Sequence, residues 1–360
     1  MKGEVDISIK QALGLDVFNG LVKLQARRHE LRQLFWECTQ RCNMKCRHCG
    51  SDCKFSSDHK DMPFEDFEKV LVRLCEVYNP NDILIIVSGG EPLMREDIVD
   101  VGRRISTLGY PWGMVSNGRL MSDTMIRNLV GAGMKAVSIS LDGLEEEHNW
   151  MRGNKESFRY ASHAIETLAG QPVAFDVVTC VNGRNFTQLD RIREHLIGMG
   201  VRQWRLLTVF PVGRAASDPE LQLSHDQKRA LMDFIVATRK EGRIKASFGC
   251  EGFLGGYEMK VRDHFFTCQA GISVASVRID GAISACTSVR ADYDQGNIYS
   301  DDFVDVWENR FADMRDRGWA RTGDCAKCRY WKWCHGDGLH LRDSEGRLLQ
   351  CTMRELGFIK

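Results

Sequence analysis

Between Leu34 and about Phe210, short Val/Ile-rich runs alternate with longer stretches whose apolar positions recur every three or four residues. The short runs predict strands at Leu34–Glu37, Ile83–Ser88, Trp112–Ser116, Ala136–Leu141, Ala174–Thr179 and Trp204–Phe210. The intervening stretches predict helices over Phe64–Val77, Arg95–Leu108, Ser122–Ala132, Ser157–Leu168 and Asn185–Ile197. Near-continuous apolar strands separated by helices imply parallel βαβ units covered on one face. Six such units make an α/β fold, a partial TIM-like (β/α)6 barrel rather than a closed eight-fold one. Barrels of this kind place their chemistry at the C-terminal ends of the strands.

The pattern changes on both sides. Leu21–Leu31 predicts a helix leading into the barrel, with its basic residues on a solvated face. After Pro211, Ser224 caps a predicted helix to Arg239. Beyond Phe248 the chain is irregular and cysteine-bearing, and Ser276–Ala285 reads as a hairpin turning on Asp280-Gly281. These shifts divide the chain into an extension (1–30), a barrel (31–245) and a small C-terminal domain (246–360). No internal repeat or low-complexity tract appears.

Composition narrows the chemistry. Lysine plus arginine equals aspartate plus glutamate over the 360 residues, so no net field favours nucleic acid or an acidic membrane surface. No apolar run reaches membrane-spanning length, and Met1–Asp6 has no apolar core of a secretory signal. A cytoplasmic protein is expected. Its fourteen cysteines then point to metal rather than disulfides. Cys75, within Val70–Cys75, reads instead as a small buried apolar residue.

Three thiols stand together after the first strand, Cys42, Cys46 and Cys49, spaced C-x3-C-x2-C. Three ligands leave a four-liganded centre one position short, as a centre that binds and transforms a molecule requires. A zinc knuckle is the competing reading, but no histidine pair follows in finger spacing. Cys38 and Cys53 flank the motif at other spacings and read as non-ligands. Further polar residues recur at successive strand ends. Ser88-Gly89-Gly90-Glu91-Pro92 closes strand two, Ser116-Asn117-Gly118 strand three, and Ser138-Ile139-Ser140-Leu141-Asp142-Gly143 strand four, with Arg152 beyond.

Taken together, these motifs resemble the radical S-adenosylmethionine (SAM) enzymes, and the resemblance runs from about Gln33 to Thr352. It implies that Cys42, Cys46 and Cys49 hold a site-differentiated [4Fe–4S] cluster whose fourth iron chelates the methionine end of SAM. Gly89, Gly90 and Glu91 would meet the methionine amino group. Ser140 and Arg152 would contact the ribose and carboxylate region, with Asn117 nearby, and Val209, Pro211 and Gly213 would lie by the adenine. An electron from the cluster would cleave SAM to a 5′-deoxyadenosyl radical that abstracts hydrogen from a substrate. A low-potential donor such as a flavodoxin or ferredoxin would supply the electron.

The C-terminal cysteines resemble the SPASM extension of these enzymes. Cys268, twelve residues, Gly281, four residues and Cys286 match one part; Cys325-x2-Cys328-x5-Cys334 and then Cys351 match the other. The resemblance assigns the latter four to one auxiliary [4Fe–4S] cluster. A second auxiliary cluster has Cys268 and Cys286, with Cys250 as an upstream ligand, but Gly338 stands where the pattern has a cysteine. That cluster is expected with three thiolates, its last position open to substrate, water, His335 or Asp337. Its absence, and a tetrahedral zinc on these cysteines, remain the alternatives.

Most enzymes with this architecture act on a peptide or protein, so side-chain modification or crosslinking is the expected activity. Radical chemistry on a small molecule in cofactor biosynthesis and a catalytically silent iron–sulfur scaffold are the other readings. Anaerobic sulfatase maturation is disfavoured, because Thr287 and Ser288 follow Cys286 where those members keep an aspartate; the nearest acids are Asp292 and Asp294. Asp337, His340 and Asp343 are candidate proton acceptors, each with a structural role as the plainer reading, so no general base is assigned. The segment Cys334–Asp343 is similar to a bacterial branch named for its genomic association with small lipoproteins.

Overall fold

A computed structural model describes residues 7–289 and 292–359; the Met1–Asp6 stretch considered above lies outside them. The predicted βα alternation is present. Strands β1 (Gln33–Thr39), β2 (Leu84–Gly89), β3 (Trp112–Ser116), β4 (Met134–Ser140), β5 (Ala174–Val181) and β6 (Gln203–Thr208) pair in sequence order, all parallel. The helices are α1 (Ile9–Arg28), α2 (Phe64–Cys75), α3 (Ile98–Thr107), α4 (Asp123–Gly131), α5 (Glu145–Arg152), α6 (Ser157–Ala169), α7 (Leu189–Gly198) and α8 (His225–Glu241).

Alternation along the strands separates two faces. Trp36, Ile85, Val87, Trp112, Val137, Ile139, Val177, Trp204 and Leu206 are fully or almost fully buried in the main core. Trp36 stacks on Phe67 of α2 with ring centroids 4.8 Å apart. The other face looks into the barrel. There Phe35, Ile86, Val115, Ser138, Asp176 and Arg205 line a cavity of about 280 Å³. Two residues further along β4 is Ser140, one strand repeat nearer the C-terminal rim.

The sheet is wider than the six strands expected. A seventh parallel strand, β7 (Lys245–Phe248), adds to β6, so the segment after α8 returns to the barrel instead of leaving it. The predicted hairpin is also part of the sheet. Its strands β8 (Val274–Val277) and β9 (Ala282–Ser284) turn at Gly281 (φ +83°), and β8 pairs parallel with β1. With β10 (Gly296–Asn297), the order is β10-β9-β8-β1-β2-β3-β4-β5-β6-β7. Short four-residue strands gave the sequence pattern too little length to register.

Ser224 caps α8 through the amide of Gln227, as its position predicts. Helix α1 begins earlier than expected, at Ile9, and binds the C-terminal region. Leu15 is buried with Phe253, Phe266, Tyr330 and Met353, while Asp16 accepts from Trp333 Nε1 at 2.8 Å. Cys75 is a correction: it ends α2 exposed, its thiol 3.3 Å from the Tyr110 hydroxyl, because α2 buries Phe67, Val70, Leu71 and Leu74 instead.

The hairpin turn favours glycine. A Cβ on Gly281 would lie 2.6 Å from the Tyr299 ring. Gly281→Ala is expected to lose about 1–3 kcal/mol of stability in denaturant titration, from the left-handed backbone and the clash together.

Candidate active site

The cysteine loop is held backbone to backbone by the end of β2. Gly89 (φ +139°) and Gly90 run so close that a Cβ would lie 2.1 Å from Thr39 O and 2.2 Å from Arg41 O. Gly90 N donates to Thr39 O at 2.7 Å and Glu91 N to Arg41 O at 2.9 Å. The glycine pair expected at the methionine amino group thus first serves to seat the loop. Glu91 is equally engaged. Its buried carboxylate accepts from Ser116 Oγ (2.9 Å), Asn117 N (2.8 Å) and Leu93 N (3.2 Å). Burial pushes it up to about 7 against those hydrogen bonds.

Three further segments grip the loop. Asn117 Nδ2 donates to Asn43 Oδ1 at 2.9 Å and reaches Cys42 Sγ at 3.9 Å, while Arg119 donates to Asn43 O at 2.7 Å. The unpredicted helix α5 delivers Arg152, whose Nη1 points at Cys46 Sγ (3.7 Å) and whose Nε pairs with Asp142 at 2.6 Å. Gly213 packs on Cys49 and Gly50, leaving no room for a Cβ (2.5 Å from Cys49 O). Beside it, Arg214 donates to Cys46 O (2.7 Å) and Cys53 O (3.0 Å). Val209 is buried with Met151, Ala215 and Leu221, so it shapes this wall from behind. Ser140 ends β4, paired with Val178 of β5.

Asp142, Arg119 and Arg214 had no role in the sequence reading. Asp142 stood in plain view inside Ser-Leu-Asp-Gly, and Arg214 beside Gly213, but neither motif says what its side chain touches. Asp142 is fully buried; burial opposes its charge, yet Arg152 holds the carboxyl below its ordinary range. Its Oδ1 accepts from Cys180 N at 2.9 Å, and His148 Nδ1 accepts from its own amide at 2.9 Å. α5 was missed because its apolar residues are few among Glu145-Glu146-Glu147-His148-Asn149.

The donor set fits an iron–sulfur cluster. Cys42, Cys46, Cys49 and Cys53 form one small buried group with Met44. Burial pushes Cys42 up to about 12 and raises Cys46 despite Arg152, so the pocket stabilises thiolates only alongside compensating positive charge. Cys49 is lowered, first by the Cys53 thiol that hydrogen-bonds to it. Guanidinium and amide donors at Cys46 and Cys42 are the second layer that tunes such centres.

Four thiols meet again in the C-terminal region. Cys325, Cys328, Cys334 and Cys351 line one small cavity, with Arg342 Nη2 at 3.6 Å from Cys325 and Asp337 N donating to Cys334 Sγ at 3.2 Å. Cys286 is raised by burial and then by Cys250 and Cys268, which lie near it. Leu339 N donates to Cys268 Sγ at 3.4 Å. Among the described residues, the one set of three or more His, Cys, Asp or Glu ligand atoms within 4.8 Å is His48, Asp142 and Cys180. The His48 set already carries the Arg152 charge on its carboxylate.

Residues 36–196 match the radical SAM superfamily model, and residues 268–329 match the SPASM iron–sulfur cluster-binding domain model. The chain belongs to the radical SAM superfamily and carries a C-terminal SPASM domain; it is an enzyme of that class, using a [4Fe–4S] cluster, SAM and auxiliary clusters. It is 26% identical over 325 residues to the AdoMet-dependent heme synthase of Methanosarcina barkeri, covering 85% of this chain and 90% of that one. It is 28% identical to the mycofactocin maturase MftC of Mycolicibacterium smegmatis, covering 84% of this chain and 76% of that one. In fold it is similar to anSMEcpe with bound AdoMet (TM-score 0.71, 19% identity, 91% and 95% coverage). It is similar also to Streptococcus suis SuiB bound to the precursor peptide SuiA (TM-score 0.67, 15% identity, 88% and 74% coverage).

If β2 seats the cysteine loop, a methyl group there is enough to unseat it. Gly90→Ala is expected to lose about four irons per chain, one [4Fe–4S] cluster, while the rest stay bound. Iron analysis beside Cys42→Ala, Cys46→Ala and Cys49→Ala checks this.

Proposed function

We propose that this enzyme modifies a side chain of a peptide or protein, using the radical generated from SAM at Cys42–Cys49. The carrying observation is the barrel cavity, whose lining runs from the N-terminal ends of the strands (Gln33, Leu84, Ala174 and Gln203) up to Val115, Ser138 and Arg205, below the rim that holds the cysteine loop. At about 280 Å³ it lies just under the roughly 300–1,000 Å³ typical of small-molecule pockets, a size suited to one inserted side chain. Its wall is mixed. Phe35, Ile86 and Val115 offer apolar contact, while Arg205 joins Asp176 (2.9 Å) and Ser138 (2.9 Å) in one polar patch. Two solved proteins of similar fold are bound to peptides, SuiB to SuiA and anSMEcpe to Cp18Cys.

The chemistry divides simply. When bound, the reduced cluster supplies one electron that splits SAM into methionine and a 5′-deoxyadenosyl radical. The chain's part would be to hold SAM beside the cluster and to present one substrate C–H bond to it. Under this reading Cys42, Cys46 and Cys49 hold the catalytic cluster, and Arg152, braced by Asp142, sets positive charge beside it. Gly89, Gly90, Glu91, Asn117, Ser140, Val209 and Gly213 build the walls of the SAM site. Cys325, Cys328, Cys334 and Cys351 hold one auxiliary cluster, and Cys250, Cys268 and Cys286 another. Those cysteines would place electron acceptors near the substrate, and a flavodoxin or ferredoxin would be the donor that starts the cycle. Among the described residues no helix is long and apolar enough to cross a membrane, and no disulfide is present.

A second reading has its own observation. Proteins named as heme synthases, an Fe-coproporphyrin III synthase and a pre-heme d1 synthase also match most of this chain, which favours a tetrapyrrole. One experiment separates the two. Anaerobically reduced enzyme is expected to form 5′-deoxyadenosine and to change the mass of a peptide encoded beside its gene on co-expression. Conversion of Fe-coproporphyrin III with an unchanged peptide would select the tetrapyrrole. Arg205→Ala is expected to cut coupled turnover at least tenfold while SAM cleavage without substrate continues.

A further inference from the structure

The auxiliary centre at Cys250, Cys268 and Cys286 is one protein ligand short, and the structure disposes of both ligands the sequence suggested. His335 points away, its Nε2 2.9 Å from Asn19 Oδ1 on α1. Asp337 is committed elsewhere. Its Oδ1 accepts from Phe253 N at 2.8 Å and lies 3.5 Å from Cys334 Sγ, and its Oδ2 accepts from Thr352 N at 2.9 Å. It therefore belongs to the wall of the other auxiliary centre.

The short turn Leu339–Leu341 offers a different group. The amide of Leu339 already touches the Cys268 thiol. Immediately before it, Gly338 has no room for a side chain, because the His340 ring folds back over it. A Cβ there would lie 2.5 Å from His340 Cε1, 2.8 Å from Nδ1 and 3.0 Å from Glu251 O, the carbonyl of the residue after Cys250. Gly338 thus brings the His340 ring to the same point as the Glu251 carbonyl, one residue past Cys250, and His340 follows directly on the Leu339 amide that meets Cys268. Phe210 fixes the ring from the side, with centroids 4.6 Å apart. The Nε2 atom is buried and has no hydrogen-bond partner. A buried nitrogen left unpaired is costly, and coordination removes that cost.

We propose that His340 ligates the auxiliary cluster of Cys250, Cys268 and Cys286 through Nε2, an inference that rests on reading those three cysteines as cluster ligands. Imidazole is an established ligand of biological iron–sulfur centres, and it raises their potential by replacing an anionic thiolate. The cluster is then closed by protein on all four irons. It serves to accept an electron, and the substrate is held by the barrel cavity rather than by iron.

The test uses full-length protein with Cys42, Cys46 and Cys49 changed to alanine, which leaves only the auxiliary clusters. About eight irons per chain are expected. About four would overturn the three-cysteine cluster itself, and the histidine with it. With eight present, pulsed EPR of the reduced protein should show the strong coupling of a directly bound nitrogen, converted to the ¹⁵N pattern by labelled histidine. His340→Cys should abolish that coupling, keep the iron and shift one reduction potential downward. Eight irons without the coupling, or a coupling that survives His340→Cys, would overturn histidine ligation while leaving the cluster assignment standing.

Discussion

Backbone contact between the end of β2 and the cysteine loop is the constraint on which the active site depends. Gly89 and Gly90 bring the Thr39 and Arg41 carbonyls within hydrogen bonding of the Gly90 and Glu91 amides just past the end of β2, at a separation no other residue permits. The register irregularity of β1 between Glu37 and Thr39 supplies the bend that turns the chain into the loop. Glu91, next in sequence, ties the same corner to β3 through Ser116 and Asn117. Three strand ends are thus locked before any cofactor is considered, and the thiols of Cys42 and Cys46 inherit their positions from that lock.

The electrostatics of the pocket follow from burial. Thiols this enclosed resist ionisation, so the chain places Arg152 against Cys46 and anchors the guanidinium with a carboxylate that is itself fully buried. Either charge alone would be costly there; as a pair they hold each other in one geometry. His148, Cys180 and Asn185 spend hydrogen bonds on Asp142, which makes it the hub of this side of the site.

Much of this was legible in the sequence, for definable reasons. Long strands with Val/Ile runs announced β1 to β6, and the cysteine spacing announced the loop, because both signals are local. The four-residue strand β7 and the pairing of β8 with β1 were not legible, since short strands carry little periodicity and pairing across some 240 residues carries none. The same limit applied to side chains. Ser-Leu-Asp-Gly named Asp142 but not Arg152 as its partner, and His335 stood as a candidate ligand, with His340 read only as a proton acceptor, until α1 was seen to claim His335. Gly338, read as a missing cysteine, makes room for a ring two residues on.

Because β8 pairs with β1, the strand that leads into the cysteine loop is interior to the sheet rather than at its margin. Stripped of its C-terminal region, the barrel would present the whole β1 edge as unsatisfied amides and carbonyls, a template for other chains to add to. The auxiliary region therefore protects the fold from self-association as well as carrying thiols. A lineage that lost its clusters would still be bound to keep this hairpin.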